Sequence, residues 1–168
     1  MYVFLIRHAV AQKRDQERWP DDSRRPLTPE GEEEFEVAAR GLARVVPEVE
    51  LHLSSPYERA WQTAEILAEQ AGWPVPKKLR ALEPDVPPEK VDMALQTYQG
   101  NQSIALTGHR PCLHELAAYL LTGDAGGAGM KIRKGGVVCI EFDCAPKAGA
   151  GKLHWLFTPK VLRNIAVS

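Results

Sequence analysis

The chain has 168 residues, enough for one domain with a buried core. Its 21 basic and 22 acidic side chains nearly cancel, so no strong field points to nucleic acid or to a membrane surface. No run approaches the roughly 18 apolar residues that a membrane helix needs. Three cysteines, Cys112, Cys139 and Cys144, lack C-x-x-C spacing, which predicts reduced thiols in a cytoplasmic protein, no structural zinc, and Cys139 as a small core residue on a strand.

The first predicted element is a strand at residues 2–6 (YVFLI), which runs into Arg7 and His8 with no turn residue between. It is too short for the apolar core of a secretory leader, and no basic cluster precedes it. A core strand with polar last residues and an active-site pair carried on a strand end both fit. Residues 9–26 are a long polar connection containing Trp19, of the length typical of lids and binding loops. From Thr28 and Pro29 onward, Phe35, Ala38, Ala39, Leu42, Val45 and Val46 share one helical stripe. Glu32, Glu33, Glu36, Arg40 and Arg44 mostly lie away from it, as a solvated face.

A second strand is predicted at 49–54 (VELHLS), where His52 alternates with Leu51 and Leu53 and reads as structural. The following helix has Ser55 and Glu58 in capping-box spacing, Pro56 at the first helical position and Gly72 as its stop. A strand at 103–107 (SIALT) ends on Gly108 and His109, and a helix runs from after Arg110 to Gly123. The glycine-rich stretch after it lacks the order of a phosphate-binding loop and reads as a flexible connector. Its KIRK run reads as a solvated approach to strands at 137–142 and 153–157. His114 and His154 read as structural.

Strand–helix alternation predicts an α/β fold, a mostly parallel central sheet with helices on both faces, in which ligands bind beyond the carboxyl ends of the strands. That rule gathers Arg7 and His8, Ser54, Ser55 and Arg59, and Gly108 and His109 at one sheet edge. Two guanidiniums and two imidazoles suit a tetrahedral oxyanion, because the guanidinium fork matches phosphate oxygens. A neutral imidazole whose second nitrogen is held by an acceptor is a nucleophile towards phosphorus, and a rigid strand end fixes its aim. Arg59 sits in the first turn of a helix, where a cation opposes the dipole unless an anion is near. Thr63 stands one turn later, placed either to support Arg59 or to pack on the strand.

The segments LIRHA, RPLTPEG, LSSPYERAWQTAEIL and TGHRPCLHELAAYLL resemble the histidine phosphatase superfamily, the phosphoglycerate-mutase-like fold. The short chain, RHA in place of the commoner RHG, and DSRRPLT closely resemble its SixA-type phosphohistidine phosphatases, in the right order from about residue 1 to 158. The resemblance implies a three-layer αβα sandwich of residues 1–168, His8 as a phosphorylated nucleophile, Arg7 and Arg59 as a phosphate clamp, and His109 as a further phosphate ligand. It implies no metal and no organic cofactor.

Arg25, in RRPLT, reads either as an extra phosphate or substrate contact or as a surface salt bridge, and Arg110 either as part of the anion site or as solvent-facing. Ester-cleaving relatives place a carboxylate after the third strand segment. Glu83 and Asp85 are the candidates here, in a segment without the usual glutamate motif and equally suited to turn chemistry around Pro84. An N–P bond needs less acid help, since imidazole leaves more readily than an alkoxide. The expected function is therefore hydrolysis of phosphohistidine on a protein. The alternatives are a broad phosphomonoesterase acting on a small phosphoester and a non-catalytic module that binds phosphorylated ligands.

Overall fold

Period-two alternation sorts the strand side chains between two apolar layers. The computed structural model describes all 168 residues. In β1 (Tyr2–Arg7), Val3 and Leu5 point to one face of the sheet and Phe4 and Ile6 to the other, all four buried. In β2 (Leu51–Ser54), Leu51 and Leu53 join the Val3 face; so do Ile104 and Leu106 of β4 (Ser103–Gly108). That face is covered by α3 (Pro88–Leu95) and α4 (Cys112–Thr122), through Val91, Leu95, Leu113 and Leu116. The opposite face is covered by α1 (Pro29–Val45), α2 (Glu58–Ala71) and α5 (Pro159–Val167), through Phe35, Leu42, Leu67 and Leu162. The result is the expected αβα sandwich.

The sheet has six strands in the order β3-β2-β4-β1-β5-β6, with β3 at Lys77–Lys78, β5 at Val137–Glu141 and β6 at Lys152–Phe157. β3, β2, β4 and β1 are parallel, whereas β5 runs antiparallel to β1 and β6 antiparallel to β5, so the sheet is mixed. The direction of β5 follows from the chain path. The connector after α4 climbs back to the carboxyl end of β1 before β5 starts, and Val137 pairs with Ile6. At that end the connector is fastened rather than loose. Ile132 is fully buried, and the Gly135 amide donates to the carbonyls of Arg7 (2.9 Å) and His8 (3.1 Å). The connection after β1 is closed at its base in a similar way. Ala11 bridges to Leu27, Gln12 N–H donates to Pro26 O (3.0 Å) and Thr28 N–H to Val10 O (2.9 Å).

Helix ends follow local chemistry with one exception. Thr28 caps α1, its hydroxyl accepting from the Gly31 amide at 3.0 Å. The capping box expected at Ser55 does not form: α2 starts at Glu58, with Tyr57 at the cap and no side-chain bond there. The Ser55 amide donates to Thr107 O (2.9 Å), so Ser55 still follows the path of β2 alongside β4. Helical geometry therefore begins two residues later than the box spacing requires. The two-residue β3 and the short α3 and α5 carried too little periodicity to be read as elements. His52 and Cys139 are buried as expected; His52 Nε2 lies 2.9 Å from Thr107 Oγ1, and its ring meets Trp73 edge-on. His154 is exposed on β6, 3.7 Å from Glu141.

Gly72 and Gly123 stop α2 and α4 with φ of 70° and 83°, in the left-handed region that side chains resist. A Cβ on Gly72 would meet no atom within 4 Å, so its substitution isolates the backbone term. Gly72→Ala is expected to lower stability by about 1 kcal/mol, seen as a lower urea midpoint at unchanged slope.

Candidate active site

Three parallel strands end at one crevice of 720 Å³. β1 delivers Arg7 and His8, β4 delivers His109 and Arg110, and the turn after β2 delivers Tyr57 and Arg59 at the start of α2. Arg25, Arg14 and Asp22 come from the loop after β1, Pro84 and Asp85 from the segment before α3, Pro111 and His114 from the start of α4, and Lys134 from the connector before β5. The four residues expected to meet do meet.

His8 is held by its own loop. Its amide donates to Gly108 O (3.0 Å), and its Nδ1 lies 2.7 Å from Ala9 O. A carbonyl only accepts, so Nδ1 carries the proton and Nε2 of the neutral ring is bare. Burial, opposed by the Ala9 bond and reinforced by Arg59 and Arg7, lowers the pKa of His8 from 6.5 to about 3. The His8 ring lies 5.1 Å from that of His109, between centroids. Ser55 orients the His109 ring. Its hydroxyl oxygen accepts from the Tyr57 amide at 3.3 Å and lies 3.0 Å from His109 Nε2, a contact that forms whichever of the two carries the proton. Burial, then His8 and Arg59, keep this ring neutral, at about 2.

Arg59 is only 4% exposed. Its Nη1 donates to Asp22 O (2.8 Å), its Nη2 lies 3.2 Å from Asp22 Oδ2, and its guanidinium stands 5.1 Å from the Tyr57 ring centre. Burial and Arg25 lower it to about 10, with Asp22 opposing them, so it stays charged at neutral pH. Thr63 does both things expected of it. Its hydroxyl donates to Arg59 O (2.6 Å) and accepts from the Ala9 amide (3.0 Å), joining α2 to the end of β1. Arg7 Nη1 donates to Ile132 O (2.9 Å). Arg7 Nε, Arg59 Nε and His109 Nδ1 are buried without a protein partner, so two guanidinium donors and one ring nitrogen stand unmet in residues lining one crevice.

Arg25 is both a wall residue and an ion pair. Its Nε donates to Asp22 Oδ1 at 2.8 Å and its Nη1 to Gln12 O at 2.7 Å. Burial raises the Asp22 carboxyl, but Arg25, Arg59 and Arg14 outweigh it and hold the group at about 2. Of the two candidate acids, Asp85 lines the crevice and Glu83 does not. Sequence reading missed Asp22, although its position three residues before Arg25 in DSRR suits an ion pair. It also missed Lys134, and it placed His114 among the structural histidines. His114 Nε2 lies 3.2 Å from both the amide and the carbonyl of Ile132 and so braces the Lys134 segment. No group of three or more His, Cys, Asp or Glu is arranged to hold a metal ion, and no helix is long and apolar enough to cross a membrane.

Residues 3–84 match the family model of the histidine phosphatase superfamily (branch 1). The chain is 31% identical over 147 residues to an uncharacterised protein of a Picosynechococcus species, covering 86% of this chain and 87% of the other. It is 28% identical over 162 residues to the phosphohistidine phosphatase SixA of Escherichia coli strain K12, covering 95% and 94%. The structure of the protein histidine phosphatase SixA with tungstate superposes with a TM-score of 0.82 at 29% identity, covering 96% of this chain and 99% of that one. The chain belongs to the histidine phosphatase superfamily, and its resemblance is to the SixA type.

Three neutral imidazoles are buried at or beside this site: His8, His109 and His52, the last lowered by burial to about 4. In the unfolded chain each takes up a proton near pH 6.5, whereas the native protein resists until about pH 4 or below. The stability they confer is therefore complete above pH 6.5 and is lost as pH falls below it, at about 1.4 kcal/mol per pH unit for each ring. The melting temperature is expected to drop steeply between pH 6.5 and 4; a flat profile would show that the rings are charged in the native protein.

Proposed function

We propose that this chain hydrolyses phosphohistidine on a protein, passing the phosphoryl group through Nε2 of His8. The observation that carries this is the 2.7 Å bond from His8 Nδ1 to Ala9 O, which leaves Nε2 unprotonated in a ring that stays neutral. A base is then unnecessary for the attack. Nε2 bonds to phosphorus as the bond to the substrate nitrogen breaks, and the electron pair leaves with the substrate imidazole. When the second nitrogen of that imidazole is already protonated, the leaving group departs neutral, without a carboxylic acid behind it. Water then attacks the phosphorus of phospho-His8, the N–P bond returns its pair to Nε2, and inorganic phosphate leaves.

The remaining residues serve the transferring group. Arg7 and Arg59 supply charge and donors to the phosphoryl oxygens, and His109 a ring nitrogen in its donor tautomer, in positions set before substrate arrives. Arg25 holds Asp22, and through it Arg59, rather than acting alone. Fourteen residues line the open crevice and only one is hydrophobic, which supports a charged group presented from outside over an apolar small molecule. The SixA name of two relatives supports the same substrate, and free thiols support a reducing, cytoplasmic setting. A second reading, a general phosphomonoesterase, has one observation in its favour: Asp85 stands on the wall, where it is the available proton donor to an alkoxide.

Rates on a phosphohistidine peptide and on an aryl phosphate ester separate these readings. The peptide is expected to react far faster, with His8→Ala inactive and Arg59→Ala slowed about a hundredfold or more. Faster ester turnover that is lost in Asp85→Asn would establish the second reading. Failure to trap labelled phosphate on His8 under either condition would leave a module that only binds.

A further inference from the structure

The crevice carries more positive charge than one phosphoryl group offsets. Six basic side chains line it (Arg7, Arg14, Arg25, Arg59, Arg110 and Lys134), against two carboxylates, Asp22 and Asp85. Six against two leaves four positive charges, of which a phosphoryl dianion takes up roughly two. The surplus is not spread evenly. Asp22 pairs with Arg14, Arg25 and Arg59, all on one side. Arg7, Arg110 and Lys134 have no carboxylate within ion-pair distance.

These unpaired cations are held together by the backbone. Arg110 follows His109 directly after β4, and β4 pairs with β1 so that Gly108 lies opposite Arg7. Lys134 sits between two fixed neighbours: Ile132, bonded to Arg7 and His114, and Gly135, whose amide donates to the Arg7 and His8 carbonyls. Burial and the guanidiniums of Arg7, Arg25, Arg110 and Arg59 hold the Lys134 ammonium below its ordinary range, and Arg110 adds to the lowering that burial imposes on Arg7. Like charges brought this close without a protein carboxylate are unfavourable until an anion joins them.

We propose that Arg110 and Lys134 form a second anion subsite, beside the phosphoryl position, which takes a carboxylate of the substrate. The phosphoryl position itself rests on the function proposed above. For a protein substrate, the carboxylate is an acidic side chain flanking the phosphohistidine. Asp22 already meets Arg14, Arg25 and Arg59, so an acidic group of the substrate is directed to the cations that lack a carboxylate.

Two measurements test this on the intact chain. The first is calorimetric binding of methylphosphonate against phosphonoacetate and 3-phosphonopropionate, which add a carboxylate to the same phosphonate. One of the carboxylates is expected to bind about tenfold more tightly than methylphosphonate, and the gain to vanish in the double variant Arg110→Gln, Lys134→Gln. Both residues are exposed, and a melting curve on the variant verifies its fold. Equal affinity for all three phosphonates, or a gain that survives the double variant, overturns the subsite. The second is hydrolysis of phosphohistidine peptides flanked by Asp or by Ser, with the acidic peptide favoured in KM and the preference lost in the same variant. Equal cleavage with no phosphonate preference overturns the subsite and keeps the phosphatase. A phosphonate preference with neither peptide cleaved keeps the subsite and overturns phosphohistidine as the substrate.

Discussion

The backbone of Arg7, His8 and Ala9 is the anchor to which the other parts of the crevice are tied. His8 N–H reaches Gly108 O, Arg7 N–H reaches Gly136 O, Gly135 N–H reaches the Arg7 and His8 carbonyls, and Ala9 N–H reaches the Thr63 hydroxyl. Three segments distant in sequence are thus fixed to these three residues at the end of β1: the β4 end with His109, the β5 approach with Lys134, and α2 with Arg59. Backbone bonds of this kind leave the side chains free to face a ligand, and they set side-chain positions without using side-chain donors. The fold therefore places the chemistry, and Nε2 of His8 remains unspent.

Keeping cations in a partly dry place is the second requirement, and Asp22 meets it on one side. An arginine as buried as Arg59 needs a counter-charge or hydrogen bonds to offset lost hydration. Asp22 supplies both, through its carboxylate and its carbonyl, and it orients Arg25 as well. Arg7 is offset less fully, by one carbonyl and by partial exposure. The two guanidiniums are therefore unequal: Arg59 is locked, whereas Arg7 belongs to a group of cations that only a ligand balances.

How much of this was legible in the sequence depended on whether the signal was local. Strand ends were: an apolar run that stops on Arg7–His8, or on Gly108–His109, states its own geometry, and the carboxyl-end rule then brings the two together. The layers were legible too, because alternation in YVFLI and the stripe from Phe35 to Val46 reflect which faces are buried, except that Val45, in the last turn of α1, is exposed. Ser55 misled, since a capping box is defined by spacing, whereas its amide was already committed to Thr107 across the sheet. Lys134 could not be found, because its place is set by the antiparallel register of β5, a pairing between residues about 130 positions apart in the chain. The same long-range pairing put Lys134 of the KIRK run on the wall, while Lys131 and Arg133 are exposed as expected. Between Glu83 and Asp85 the sequence offered no means of choosing, since a turn around Pro84 decides which one faces the crevice.

The histidines and the cations also act on each other. Burial is the largest influence on His8 and His109, and the nearby arginines push the same way, so both rings are neutral without substrate. An anion placed among the arginines reverses the sign of that neighbourhood. On the proposed path, arrival of a phosphoryl dianion offsets the guanidiniums and favours positive charge on imidazole, the charge that Nε2 acquires as it bonds to phosphorus. On that path the substrate offsets the arginines' share of the influence on His8, while the share from burial remains, as a positive ring forms. Neutral nucleophile and stabilised phosphoimidazolium are thus compatible in one site on the proposed path.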